Sequence, residues 1–175
     1  MVVAFTGYRP EKMPFSETKG DVKYERFRAR ELQVIERLIE RGCTHFISGV
    51  AMGFDTWVAE DILILRKKNK ALTLECAIPF PGQADKWEHA DQKRRYKIIT
   101  KADSSVIVCN HYHEKCYFER NRYMVDKADV VVCAYNGKRG GTQYTVNYAL
   151  SQNKIVIQID PETAAVSILS SRSFN

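Results

Sequence analysis

Apolar and polar positions alternate along the chain in blocks, and the blocks change period. Val2 to Phe5 is a short apolar run closed by Thr6-Gly7. From about Tyr24 to Arg41, Leu32, Ile35, Leu38 and Ile39 recur three or four apart with charged residues between them, which predicts a helix stopped at Gly42. A second strand is predicted at His45–Ile47, then a helix over about Phe54–Lys68 and a third strand over Leu72–Ile78, halted at Pro79. A basic helix over about Ala84–Lys101 precedes a fourth strand at Ser105–Cys109, a helix over about Phe118–Lys127 and a fifth strand at Val130–Ala134. Gly140-Gly141 opens the last helix, to about Gln152, and Ile155–Ile159 is the sixth strand.

Strands 2, 4, 5 and 6 read as near-continuous apolar runs. Such strands are buried on both faces, as in a parallel sheet covered by helices. The βαβ alternation gives the same answer, because parallel neighbours need crossover connections. The expected fold is therefore α/β: a single three-layer Rossmann-like domain with a doubly wound parallel sheet of about six strands, in the order 3-2-1-4-5 with strand 6 at the edge. Residues 1–160 form the domain. Residues 161–175 are a tail or edge element.

Composition narrows the class. The chain has 175 residues, 45% hydrophobic and 27% charged, with 27 Lys and Arg against 21 Asp and Glu for a net charge of +6. A chain this long buries roughly 70% of its extended surface, so it needs no disulfide staple. No apolar run reaches the roughly 20 residues of a membrane span, and the N-terminus reads as a strand rather than a signal peptide. Five cysteines without CxxC pairs fit a reducing, cytoplasmic setting. The basic residues Lys93, Arg94 and Arg95 raise a nucleic-acid partner, but a charge run on an outer helix is usually a solvated face. The sequence leaves open whether the chain self-associates.

Chemistry-bearing residues follow the strands. Thr6, Gly7, Tyr8 and Arg9 come after strand 1. Ser48, Gly49, Gly53 and Asp55 come after strand 2, and Pro79, Phe80 and then Trp87 after strand 3. Arg120 and Asn121 open the fourth crossover helix. Gly140, Gly141 and Thr142 follow strand 5, behind Lys138 and Arg139. Parallel strands send all these loops to one edge, where open α/β sheets bind ligands. Two glycine turns entering helices suit a phosphate or diphosphate, with Gly49, Gly53 and Gly141 allowing close backbone approach. Arg9, one of Arg120 and Arg122, and Lys138 offer counter-charge. Asp55 reads equally as a helix-start residue or a ribose contact, and Tyr8, Phe80 or Trp87 as a base-stacking ring. Cys109, His111, His113 and Cys116 match no established zinc spacing and read as a surface loop, so no metal and no cofactor is expected. No catalytic residue is assigned.

Thr6-Gly7-Tyr8-Arg9, the Ser48–Trp57 segment, Pro79–Trp87, Arg120–Asp126 and Gly140-Gly141-Thr142, taken in order, resemble the YpsA/YoqJ-like proteins of Gram-positive bacteria and their phages, within the SLOG superfamily of Rossmann-like domains. The resemblance runs from Met1 to about Ile159. It implies a nucleotide or nucleotide-derived ligand such as an ADP-ribose-like molecule, in a sensing or regulatory role. The superfamily also holds phosphoribohydrolases, which cleave nucleoside monophosphates, and the DNA-processing protein of transformation, a single-strand DNA binder. Gly141-Thr142 would match part of the hydrolase signature, but Thr145 stands at its glutamate position. That substitution argues against an enzyme.

Overall fold

A computed structural model describes residues 1–169. Its elements, in chain order, are β1 (Val2–Gly7), α1 (Val22–Glu40), β2 (His45–Ser48), α2 (Phe54–Leu65), β3 (Thr73–Ile78), α3 (His89–Lys101), β4 (Ser104–Ile107), α4 (Cys116–Lys127), β5 (Val130–Ala134), α5 (Gly141–Ser151), β6 (Ile155–Ile159) and β7 (Val166–Ile168). A 3-10 turn at Pro10–Lys12 follows β1. The basic helix begins at His89, five residues later than the pattern predicts, because turns occupy Pro81 to Trp87.

The sheet is α/β, seven-stranded and parallel except for its last strand, in the order β4-β3-β2-β1-β5-β6-β7. The expected order 3-2-1-4-5 with strand 6 at the edge is corrected at two points, since β7 lies outside β6 and β4 is displaced. β4 lies outside β3, and β5 takes the place beside β1. The physical reason is in the side chains. β4 is Ser-Ser-Val-Ile with three exposed residues and one half-buried one, which suits an edge. β5 is Val-Val-Val-Cys-Ala, buried throughout, which suits the centre. The strand order therefore reverses after β4, and α4 carries the chain back across the sheet. β7 falls within the segment set aside as a tail and pairs antiparallel with β6.

Alternate residues of each strand serve two cores. Val3 and Phe5 of β1 join Phe27, Val34, Ile35 and Leu38 of α1 and Phe54, Trp57 and Ile62 of α2 on one face. Ala4, on the opposite face, joins Ile47, Val131, Cys133, Met124, Val125 and Val146 under α4 and α5. α4 is also tied to the sheet by polar contacts. Glu75, buried in β3, accepts from the Tyr123 hydroxyl at 2.6 Å and from Lys127 Nζ at 3.2 Å. α1 starts on a side-chain cap, with Asp21 Oδ1 accepting from the Lys23 and Tyr24 amides at 2.9 and 3.0 Å.

One buried charge costs the fold. Glu31 in α1 is fully buried. One carboxylate oxygen takes a 2.6 Å hydrogen bond from Arg28, which also reaches Asp61 at 3.0 Å. The other, Oε1, has no partner. Burial raises the Glu31 carboxyl from 4.5 to about 8. Between those values the native state holds a proton the unfolded chain has lost, so stability falls as pH rises through that window. Urea melts of Glu31→Gln and the parent at pH 5 and pH 8 should show the parent losing ground relative to the variant at pH 8. An unchanged difference would show that Arg28 keeps Glu31 ionised throughout.

Candidate functional site

At the carboxyl edge of β1, β2 and β5 the structure has a cavity of about 300 Å³. Its walls come from the loop after β1, Ala51 and Asp55 around the start of α2, and the starts of α4 and α5. Parallel strands with the right-hand crossovers of this topology bring these pieces to one edge.

The loop after β2 is locked by its own hydroxyls. Ser48 Oγ donates to the Asp55 carbonyl at 2.7 Å and accepts from the Val50 amide at 3.1 Å. Thr56 Oγ1 donates to the Ala51 carbonyl at 2.6 Å. Val50, a β-branched residue, is held at φ 44, a strained conformation for it. This loop turns the Asp55 carboxylate toward α4. There Arg120 Nη1 lies 3.5 Å from Asp55 Oδ2, close enough to pair charges but without a hydrogen bond. Both side chains are almost wholly buried.

Burial governs both groups. It raises the Asp55 carboxyl from 3.8 to about 6, against the pull of Arg120 and of a hydrogen bond from the Ala51 amide. It lowers the Arg120 guanidinium below its ordinary value, although Asp55 opposes this. Arg120 Nε and Nη1 have no hydrogen-bond acceptor. A buried guanidinium with two nitrogens outside any hydrogen bond among the described residues is costly to the fold.

The glycines do different work from that expected. A side chain at Gly49 would fall 1.4 Å from Arg120 Nη1 and 2.7 Å from Asp55 Oδ2. One at Gly53, where φ is +85, would meet the Tyr8 carbonyl at 2.8 Å. The space beside both is filled by the protein itself, which corrects the reading that they leave room for ligand backbone contact. Gly141 is the one of the three with open space beside it. It begins α5, whose N-terminus has no side-chain cap, so its first amides are left to other acceptors.

Of the residues singled out in the sequence, Thr6, Gly7, Arg9, Asp55, Arg120, Asn121, Gly141 and Thr142 line the cavity. Ser48, Gly49 and Gly53 stand behind it, shaping the Asp55 loop. Gly140 lies at its margin, where a side chain would come 2.9 Å from Lys12 Nζ. Pro79, Phe80 and Trp87 are not part of the wall. Phe80 packs against Tyr112 and Tyr117, and Trp87 lies under the Arg95 guanidinium. Tyr8 lines the cavity, but its hydroxyl is committed to Asn136 at 2.8 Å. Of the two helix arginines, Arg120 faces the cavity, while Arg122 lies over the Tyr148 ring at 5.0 Å.

Sequence reasoning did not assign Glu11, Lys12, Ala51 and Tyr117 to the site; they complete the wall. Tyr117 had a signal: it lies three residues before Arg120 and four before Asn121, on one face of α4. Glu11 and Lys12 had none, since a 3-10 turn after Pro10 does not announce itself by period. Thr145 donates to the Gly141 carbonyl at 2.9 Å and accepts from Asn121 Nδ2 at 2.8 Å, so it braces the start of α5 against α4.

The comparisons agree with this architecture. The YspA SLOG family is matched over residues 3–162, and the chain belongs to that family. It is 27% identical over 144 residues to a UPF0398 protein of Halalkalibacterium halodurans, covering 81% of this chain and 75% of that one. It is 34% identical over 132 residues to the SPbeta prophage-derived protein YoqJ of Bacillus subtilis, covering 67% and 77%. Among solved structures it is similar in fold to the DNA processing protein A of Streptococcus pneumoniae, with a TM-score of 0.61 at 20% identity. That match covers 90% of this chain and half of the other. Among the described residues no helix is long and apolar enough to cross a membrane.

Two variants test the buried pair. The native Asp55 carboxyl titrates near 6 against 3.8 ordinarily, so the folded state holds the extra proton and loses stability as pH rises from about 4 to about 6. Two units correspond to about 3 kcal/mol. Chemical melts across that range should show this slope in the parent and its loss in Asp55→Asn; equal slopes would place the titration elsewhere. Gly49→Ala should force Arg120 from its place and cost about 1–3 kcal/mol, the usual penalty of overpacking. A melting temperature equal to the parent's would show that the guanidinium moves freely.

Proposed function

We propose that the protein binds a nucleotide or nucleotide-derived ligand, of the nucleoside-phosphate or ADP-ribose class, in this cavity and in a sensing or regulatory role. The observation that carries the reading is the buried Arg120 side chain, set in the wall of a cavity that also holds the uncapped start of α5. A phosphate satisfies both at once: its oxygens accept from the guanidinium and from the free amides at the helix N-terminus. Arg9, whose guanidinium lies 5.8 Å from the centre of the Tyr117 ring, and Lys12 add charge from the opposite wall. Asp55 accepts from a ribose hydroxyl. Tyr117 takes the stacking role first assigned to Tyr8, Phe80 or Trp87.

Family membership supports a nucleotide-type ligand, and the fold shared with a DNA processing protein makes single-stranded DNA the rival. The basic helix argues against DNA as the main partner. Arg94 is engaged by Glu60 at 2.7 Å and by Glu17 at 2.6 Å, and Arg95 donates to Gln83 at 3.1 Å. Two of its three adjacent basic residues are thus already in use. Hydrolysis of a nucleoside monophosphate is disfavoured by Thr145, whose hydroxyl is committed and carries no charge.

A thermal-shift screen against nucleoside mono- and diphosphates, ADP-ribose, NAD and cyclic nucleotides tests the reading. A ligand at 100 times its Kd adds about 2.7 kcal/mol of apparent stability. Arg9→Ala and Gly141→Ala should leave the free protein's melting temperature nearly unchanged and weaken that ligand about ten-fold or more, the first by loss of one charge-assisted hydrogen bond and the second by a methyl group in the ligand's space. No shift with any nucleotide, or a shift indifferent to both variants, overturns the proposal. Tight single-strand DNA binding that tolerates high salt would favour the rival, since backbone contacts alone weaken steeply with salt. Release of free base from a monophosphate, lost in Asp55→Asn, would make the protein a hydrolase.

A further inference from the structure

The loop between β4 and α4 brings together residues that the ligand reading does not use. Cys109 ends the segment after β4. His113 lies in the loop, and Cys116 is the first residue of α4. One ligand atom from each lies within 4.8 Å of the other two. Glu119, one turn into α4, lies beside the group. Its Oε2 accepts from Cys109 Sγ at 3.3 Å and lies 3.7 Å from His113 Nε2. Expecting only a surface loop here overlooked that residues 110–115 fold back on themselves.

We propose that Cys109, His113, Cys116 and Glu119 form a tetrahedral zinc site, independent of the nucleotide reading. Two thiolates, an imidazole and a carboxylate are the borderline-soft set that zinc takes in four-coordinate sites. Zinc bonds of about 2.0–2.3 Å place neighbouring ligand atoms roughly 3.5–4 Å apart, so the Cys109, His113 and Cys116 atoms contract by about 1 Å at most, and the Glu119 carboxylate moves toward Cys116 to join them. Cys116 is the first residue of α4; its sulfur accepts from the His113 amide at 3.1 Å and donates to the His111 carbonyl at 3.4 Å. Binding sends both thiol protons to solvent and replaces the Cys109–Glu119 hydrogen bond with metal coordination.

The site also answers a structural need. Beneath this loop only Phe80, Cys109 and Cys116 are buried together, flanked by Val108 and Tyr117. α4 starts after Lys115, which supplies no side-chain cap. A metal joining the end of the β4 segment to the first turn of α4 fixes a helix start that little else holds. Tyr117 and Arg120 leave that turn for the cavity wall. His111 lies beside the group, its ring 6.3 Å from that of His113, and is not among the ligands.

The full chain, purified under reducing conditions and dialysed, should retain about one zinc per molecule by elemental analysis. Cobalt(II) added to chelator-stripped protein should give the intense visible bands of a tetrahedral ion and a sulfur-to-metal charge-transfer band. Cys109→Ser, His113→Ala and Cys116→Ser should each abolish stoichiometric binding, while His111→Ala keeps it. Glu119→Gln should keep the charge-transfer band and shift the visible bands. The cobalt spectrum of the parent decides the matter even where a cysteine variant fails to fold. An absent tetrahedral spectrum, metal retained in Cys116→Ser, or a Cys109–Cys116 disulfide found in reducing buffer overturns the proposal.

Discussion

Arg120 and Asp55 are buried side by side, and the carboxyl edge of the sheet is arranged around them. Taking two charges from water costs several kcal/mol per ion, which an ion pair recovers only with good geometry and further hydrogen bonds. This pair stands 3.5 Å apart without a hydrogen bond between its members, and two guanidinium nitrogens have no acceptor. The surrounding sequence is fitted to that burden. Gly49 is side-chain-free because the guanidinium occupies the place of its Cβ. Ser48 and Thr56 spend their hydroxyls on the loop that carries Asp55. Glu75 anchors the far end of α4 through Tyr123 and Lys127, so the helix bearing Arg120 is held against β3. Such an arrangement is a poor way to gain stability and a good way to hold a donor in place.

The fold class was legible because it rests on periodicity. α1 and α2 each begin within two residues of the sequence expectation, and all six expected strands lie within two residues of theirs at both ends. Strand order was less legible, since it depends on which strand tolerates exposure rather than on any strand's own period. The serines at 104 and 105 carried that information, and the run Val-Ile-Val-Cys that follows them hid it. Val108 and Cys109 lie beyond β4, in the small cluster with Phe80. A continuous apolar run here spans two environments: an exposed edge strand and a buried loop.

The candidate site divides along the same line. Residues immediately after strands were readable, because parallel topology alone sends them to one edge; Thr6, Arg9, Asp55, Gly141 and Thr142 belong to this group. Arg120 was readable from its unfavourable place near a helix start. Aromatic roles were not. Phe80 and Trp87 lie after β3, one strand nearer the edge of the sheet, and turn to local partners instead. The glycine roles were half readable. Sequence marks where a side chain is absent, but not whether the vacant volume goes to a ligand or to another part of the protein. At Gly49 and Gly53 it goes to the protein, and at Gly141 it stays open.

α4 joins these separate features. Its cavity-facing residues Tyr117, Arg120 and Asn121 share one face, with Met124 and Val125 carrying the helix into the core below. Its first turn follows an uncapped start and a loop with a small apolar base, and Asn121, in the next turn, donates to Thr145 of α5 at 2.8 Å. The far end is held firmly through Glu75. The 109–116 segment leads into the turn that carries Arg120, while Asp55 and the vacant place beside Gly49 fix where its guanidinium lies.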